Sequence, residues 1–484
     1  MSETTSRTTA ASWASSARRR WSRWRPGLAE RRLLLLLGDL LVAIAVTLLA
    51  LWGWALAAGT PFSINRPRAE PAWFYLFPPA WLLLNANLYS RRNMESRTAT
   101  VRSLVTSAAL MILVYLGIFF FSPRGALPRL VVVYFILGAF ALSLAWRMTY
   151  ITVFVSPYFQ HRALVVGAGW AGQTITRVLI RLQPRQYAIV GLIDDDPGTH
   201  GQLVGGVPVL GGYERLATTA QAYGVSEIVL AITGEIQGAL FQALLDCQAQ
   251  GIPVVRMPLL YEQLTGRIPI EHLSADWMIG AFMDKARVQE WFYVSKRLLD
   301  LCGAVVGLLL LAIVTPIVAV VVWLESGGPI FYWQDRLGKG GRLFLMPKFR
   351  TMIQEAEADG RPRWATPDDE RVTAVGRFLR RSRLDEAPQL WSVMRGEMSL
   401  VGPRPERPEF IASLEKQIPF YRARLEVKPG ITGWAQVNYG YGATVEDAAI
   451  KLQYDLYYIK HQSLWLDLLI LTRTVGVVLR FTGT

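Results

Sequence analysis

Cysteine and histidine are scarce in this chain of 484 residues. Cys247 and Cys302 lie 55 positions apart, which excludes a disulfide scaffold and a cysteine-rich metal site. Four histidines leave little for a histidine-based zinc centre. Lysine is also rare: eight residues, none before Lys285, against 43 arginines, a bias to which genome composition can contribute. With 52% hydrophobic residues and a mean hydropathy of +0.26, the chain lacks the polarity of a disordered or wholly soluble protein. Its length allows two or three domains. A net charge of +14 points to a polyanionic partner: nucleic acid, anionic lipid or a phosphate-rich substrate.

Residues 1–32 are polar and hold eight arginines. The apolar run that follows is too long for the core of a signal peptide, and no small-residue cleavage site is evident. Leu33–Ala58 covers 26 residues broken only by Asp39, beyond the roughly 20 a helix needs to cross a bilayer. Ala72–Tyr89, Leu104–Phe121 and Leu130–Ala145 follow, the second interrupted by Pro78-Pro79. The pattern predicts four spans over residues 33–155. The 90–103 loop holds four arginines and the other two loops two each, so the arm at 1–32 is expected in the cytoplasm and the chain returns there after the fourth crossing.

Residues 161–290 alternate short apolar strands with helical stretches, which implies a doubly wound parallel sheet. The first strand, Ala163–Val166, runs into Gly167-Ala-Gly169-Trp-Ala-Gly172. Glycines so spaced allow a tight turn and close approach of a pyrophosphate to a helix N-terminus. Asp194 follows Gly172 by 22 residues, where a ribose-binding carboxylate belongs. Strand-to-helix packing with a solvated acidic turn explains the same residues. Membrane-bound sugar-nucleotide dehydratases pair spans with such a domain but need a tyrosine four residues before a lysine, and no lysine here has one.

Leu298–Leu324 resembles a fifth span. Basic residues flank it on both sides: Lys296 and Arg297 before, Arg336, Lys339 and Arg342 after. Pro316 kinks a helix, and the Thr315 hydroxyl can satisfy a freed carbonyl. A re-entrant helix is expected, entering and leaving by one leaflet; a kinked span is the alternative.

In Gly376–Gln389, four arginines lead into Asp385-Glu386, with Pro388 close behind. Proline is tolerated in a helix's first turn, so a helix should start near Leu384–Glu386. Its dipole and the arginines then favour an ionised Asp385. Such a carboxylate can attack phosphorus. Glu386 can hold Mg²⁺ through oxygen. Taken alone, an acidic pair at a helix start is usually a cap.

Four motifs change that weighting: Lys348-Phe349-Arg350-Thr351-Met352, the run Arg380–Gln389, Met398–Pro405 containing Gly402-Pro403-Arg404-Pro405, and Lys428-Pro429-Gly430-Ile-Thr432-Gly433-Trp434. Residues 293–484 thereby resemble the bacterial polyprenyl-phosphate sugar-1-phosphate transferases, the monotopic phosphoglycosyl transferases. The layout resembles their large members: membrane α plus α/β, with four transmembrane helices, a Rossmann-like CoA-binding-type domain, a re-entrant helix and a cytoplasmic α+β catalytic domain. The resemblance implies transfer of a hexose-1-phosphate, of glucose or galactose type, from a UDP-sugar to undecaprenyl phosphate at the bacterial inner membrane. It makes Asp385 the nucleophile and Glu386 the Mg²⁺ ligand. Lys348, Arg380 and Arg404 would contact substrate, with Arg350 and Arg383 beside them. Ser392 departs from the asparagine usual after the tryptophan.

A Rossmann sugar-nucleotide enzyme and a nucleotide-sensing membrane protein are the rival readings. Leu464–Phe481 is expected as an interfacial amphipathic helix, and Gly338–Gly341 as a plain hairpin turn. Charge divides as +12 over residues 1–160, −3 over 161–292 and +5 over 293–484. Lipid headgroups and a nucleotide diphosphate account for it, so nucleic acid is not a needed partner; a homodimer stays open.

Overall fold

The computed structural model describes residues 28–57, 59, 72–89, 93–121, 129–154, 160–182, 187–234, 236, 238–272, 290–353, 369, 371–440, 442 and 444–479. Most of the basic arm at 1–32 lies outside them. The chain divides into two compact units, residues 1–162 with 179–188, and residues 163–178 with 189–484.

The first unit contains α1 (Leu28–Ala57), α2 (Phe77–Leu84), α3 (Arg97–Phe121) and α4 (Arg129–Phe154). α1, α3 and α4 have the length and apolarity to cross a membrane. The second expected span does not form one helix. 3₁₀ turns at Ala72–Leu76 and Ala86–Tyr89 flank α2, whose eight residues rise about 12 Å against a bilayer core of about 30 Å. Pro78 and Pro79 fall in the first turn of α2, where a missing N–H is tolerated. Asp39, the break in the first apolar run, is buried and paired: Arg147 Nη2 approaches its Oδ2 at 2.5 Å and the Tyr89 hydroxyl donates to the same oxygen at 2.7 Å. A lone charge among apolar helices would be costly, so the ion pair explains why α1 tolerates it.

The α/β region, most of it in the second unit, comprises β1 (His161–Val166), α5 (Trp170–Leu182), β2 (Tyr187–Ile193), the hairpin β3 (Leu203–Val204)–β4 (Val207–Pro208), α6 (Leu216–Ala222), β5 (Glu227–Leu230), α7 (Gly238–Ala249), β6 (Val254–Arg256) and α8 (Met257–Thr265). The sheet order is β2-β1-β5-β6, with β1–β5 and β5–β6 parallel. Ala163–Val166 is buried throughout, as a strand covered by helices on both faces must be.

The fourth helix of membrane length is α9 (Glu290–Ser326), unbroken over 37 residues with Pro316 inside. The Thr315 hydroxyl donates to the Leu311 carbonyl at 2.7 Å. The antiparallel hairpin β7 (Phe331–Leu337)–β8 (Leu343–Phe349) follows, closed by the expected glycine turn. Then come α10 (Ala374–Arg381), a 3₁₀ helix Leu384–Gln389, α11 (Leu390–Arg395), β9 (Ser399–Val401), α12 (Pro408–Leu414), a 3₁₀ helix Tyr421–Glu426, β10 (Gly430–Thr432), α13 (Trp434–Asn438), α14 (Val445–Lys460) and α15 (Leu464–Leu479). β9 and β10 pair in parallel.

One body holds both ends of α9. Near its start, Arg297 donates to the Val393 and Met394 carbonyls at 2.7 and 2.9 Å, and Asp300 accepts from Ser399 Oγ and Leu400 N at 2.9 Å each. Lys296 reaches Asp467 of α15 at 2.7 Å. At its end, Glu325 accepts from the Ala374 and Val375 amides at 2.8 and 3.1 Å, capping α10. Chain before α9 also bonds to chain after it. Trp434 Nε1 donates to Gly266 O at 2.8 Å, Ile268 N to Gln453 O at 3.0 Å, and Lys460 and His461 both pair with Glu262. α15 is docked by its polar residue: Asp467 is fully buried between Lys296 and the Tyr458 hydroxyl.

A helix cap of this kind contributes about 1 kcal/mol. Glu325→Ala should therefore speed hydrogen exchange at the Ala374 and Val375 amides about fivefold, a ratio that mass spectrometry of this segment resolves. Unchanged exchange there would show that Glu325 is not the cap.

Candidate active site

Asp385 and Glu386 owe their position to a turn that few residue types favour. The Thr373 hydroxyl accepts from Gly376 N at 2.9 Å and starts α10. α10 stops at Ser382, and Arg383 reverses the chain with φ of 60°, a left-handed conformation uncommon outside glycine. The next residues enter the 3₁₀ helix that runs directly into α11. A helix thus starts where the proline position placed it, although its first turns are 3₁₀ rather than α.

The turn drops both carboxylates inward, leaving Asp385 8% and Glu386 6% exposed. Buried carboxylates require partners. Glu386 has three. Arg404 grips it as a fork, Nη2 to Oε1 at 2.5 Å and Nη1 to Oε2 at 3.2 Å. Lys348 Nζ lies 3.3 Å from Oε1, and Arg383 Nη1 3.9 Å from Oε2. Burial pushes the Glu386 carboxyl upward, but Arg404 and Lys348 outweigh it and hold the group well below the usual carboxylate range. Burial in turn pulls the Lys348 ammonium down, against the charge of Glu386.

Asp385 differs from its neighbour. Its Oδ1 is buried and has no hydrogen-bond partner within the protein. Burial and then the adjacent Glu386 charge push its carboxyl up to about 6, against Lys348, Arg380 and Arg404. Desolvation and a like charge thus outweigh the lysine and arginines in the direction of the shift. At neutral pH the carboxylate still predominates.

A small pocket beside the pair is lined by Arg336, Met346, Lys348, Glu386, Gln389 and Arg404. Asp385 is not among its lining residues. Arg336 is the group that sequence reasoning missed. It stands on β7 opposite Phe344, on the face that Met346 and Lys348 share, so the period-two register of the hairpin carried the signal. Its Nε is buried without a partner, its Nη1 donates to Pro405 O at 3.1 Å, and burial pulls it down to about 10.

The remaining candidates separate. Arg380 Nε donates to Thr351 Oγ1 at 3.0 Å, next to β8. Arg350 does not line the pocket; its Nη1 donates to Gly328 O at 3.0 Å and fastens the hairpin base. Arg404 is fixed from behind by Arg424, whose Nη2 donates to Arg404 O at 3.1 Å and to Asp455 Oδ2 at 2.9 Å. Neither Arg424 nor Asp455 belongs to a motif. Among the described residues no three histidine, cysteine or acidic side chains cluster as a metal site.

The glycine loop gathers its expected members without freeing them. Gly167 has φ of 103°, and a Cβ on Gly172 would stand 1.9 Å from Gly167 O, so both glycines serve close backbone packing. Around Gly169 the space is open. Asp194 spends Oδ2 on the Ala168 amide at 2.5 Å and Oδ1 on the Asp196 amide at 3.0 Å. Its carboxylate ties the loop to the end of β2.

Comparison with known proteins bears on both the α/β region and the C-terminal region. Residues 291–481 match the model of bacterial sugar transferases, and residues 85–258 that of a CoA-binding domain. A UDP-N-acetylgalactosamine-undecaprenyl-phosphate N-acetylgalactosaminephosphotransferase of Aeromonas hydrophila is 41% identical over 51% of this chain and 57% of its own. An undecaprenyl-phosphate glucose phosphotransferase of Komagataeibacter xylinus is 33% identical over 65% of this chain and 58% of its own. A sugar transferase of Bacillus subtilis, EpsL, is 41% identical over 39% of this chain and 90% of its own. The matches span little more than half of the first two relatives.

The brace behind Arg404 is testable. Burial pushes Asp455 up to about 6 although Arg424 faces it. Arg424→Met should strand that buried carboxylate and cost about 3–5 kcal/mol, read as a lowered melting temperature. Adding Asp455→Leu should restore most of the loss. No loss in the single variant, or no recovery in the double, contradicts the brace.

Proposed function

Because the chain belongs to the bacterial sugar transferase family, we propose that it transfers a hexose-1-phosphate, of glucose or galactose type, from a UDP-sugar to undecaprenyl phosphate. The products would be an undecaprenyl-diphosphate sugar and UMP, opening the assembly of an exopolysaccharide, capsule or O-antigen. The names of the Aeromonas and Komagataeibacter relatives support the lipid acceptor and a sugar-phosphate donor, and one extends the donor set to N-acetylgalactosamine.

The observation that carries the reading is the unpartnered Oδ1 of Asp385, next to a carboxylate already neutralised by three cations. In the first step an oxygen of Asp385 attacks the sugar-bearing phosphorus. The bond from that phosphorus to the bridging oxygen breaks, and UMP departs with the electron pair. In the second step an oxygen of undecaprenyl phosphate attacks the same phosphorus. The bond to Asp385 breaks and its carboxylate is restored. Lys348, Arg380, Arg383, Arg404 and Arg336 supply the positive charge that phosphoryl transfer chiefly demands.

Glu386 lines the pocket and is the carboxylate that would hold magnesium, with diphosphate oxygens and water completing the ion's ordinary coordination, once Arg404 releases it. Bound there, the ion would neutralise the diphosphate and stabilise the leaving UMP.

The same reading has α9 enter and leave the membrane by one leaflet, with both soluble regions on the cytoplasmic face of the bacterial inner membrane. Three features support it. Lysine and arginine flank α9 on both sides, Pro316 lacks the N–H for one of its backbone hydrogen bonds, and the hydrogen bonds of Gly266 and Ile268 to Trp434 and Gln453 join chain on either side of it. A crossing helix would hold those residues about 30 Å apart.

Asp385→Asn and Asp385→Ala should abolish transfer of labelled sugar phosphate to the polyprenyl acceptor. Full activity in either variant would exclude Asp385 as the nucleophile. Activity should also climb as pH rises through about 6, as the Asp385 carboxyl ionises. Glu386→Gln removes the like charge that raises it, so the residual activity of that variant should show this limb at lower pH. A limb that stays in place would assign it to another group.

A further inference from the structure

The hairpin that lines the pocket has a second face. Across the ladder, Arg336, Met346 and Lys348 point one way, while Phe331, Trp333, Leu343 and Leu345 alternate to the other, with the exposed Asp335 opposite Leu345 and the buried Pro347 and Phe349 on that same face toward the base. On that outer face Trp333 is 48% exposed, Leu343 64% and Leu345 53%. Such a row on a soluble surface invites aggregation or marks a contact.

Two observations identify what covers it. The first is continuity with α9. The hairpin base is packed onto the last turns of that helix, where Phe349 buries with Val318, Val322 and Leu379. On the same turns Trp323 and Leu324 are 61% and 70% exposed, as side chains turned to lipid would be. The second is charge. Lys339 and Arg342 stand exposed at the hairpin tip. α10, which Glu325 caps from the end of α9, presents Phe378 at 59% exposure between exposed Arg377 and Arg381. Aromatic side chains interleaved with cations are the composition of surfaces that lie at a bilayer interface over anionic headgroups.

We infer that the outer face of the β7–β8 hairpin is an interfacial membrane anchor. It seats Trp333, Leu343 and Leu345 at the headgroup boundary, with Lys339 and Arg342 on anionic lipid. Because one two-stranded ribbon carries both faces, its depth in the lipid also sets the depth of Arg336 and Lys348 in the pocket.

The test reads depth rather than turnover, so it stands apart from the transfer reaction. The full chain, with exposed Cys302 replaced by serine and Cys247 left buried, is reconstituted in nanodiscs of phosphatidylcholine and phosphatidylglycerol. Leu343→Cys, Leu345→Cys and, as an aqueous reference, Lys416→Cys are each labelled with a nitroxide. At 343 and 345 the ratio of oxygen to nickel-chelate accessibility should exceed that at 416 several-fold. Equal ratios at all three sites would overturn the proposal. So would labels at 343 and 345 that neither reagent reaches but that couple between two copies, since the occupant would then be a second chain. Two independent outer-face sites keep the test decisive if one variant fails to fold.

Discussion

Two adjacent carboxylates held out of water set the terms for the C-terminal unit. Asp385 and Glu386 cannot both be buried unless cations converge on them, and three segments contribute one each to Glu386. β8 supplies Lys348, the left-handed turn supplies Arg383, and the loop after β9 supplies Arg404. Arg404 in turn leans on Arg424, which α14 holds through Asp455. The compensation is unequal. Glu386 takes nearly all of it, leaving Asp385 with an idle oxygen and a raised affinity for a proton. That asymmetry separates a group that binds from a group that can react.

The same unit is organised around a helix that belongs partly to another solvent. α9 carries Lys296, Arg297 and Asp300 near its start and Glu325 at its end. These residues reach α15, α11, β9 and α10, so the carboxylate turn and the strand leading to Arg404 are both referenced to α9. The proposed chemistry on a lipid phosphate would need this kind of registration between a pocket and a bilayer.

How much of this was legible depended on distance along the chain. Asp385, Glu386, Arg380 and Arg383 fall within seven residues, and Lys348 and Arg404 sit in compact motifs, so a linear reading found them. Arg336 needed the hairpin register, and Arg424 with Asp455 needed the packing of a 3₁₀ helix on α14, 31 positions apart in sequence. The upward shift of the Asp385 carboxyl was not legible, because helix and arginine proximity are visible in sequence whereas desolvation is not. Asp194 was legible as a carboxylate near a glycine loop, but its two amide bonds were not. The doubtful second span was flagged by Pro78-Pro79, and the short α2 follows from them.

The polar ends of α9 are fixed to one body, while Leu309, Leu310 and Ile313 between them are exposed and apolar. A bilayer that thickens or thins would therefore act on that middle stretch, by tilt or local lipid adjustment. The carboxylate turn is tied to the ends and would be shielded from it. Divergence of this stretch between bacteria with different lipids would then follow membrane thickness, not sugar chemistry.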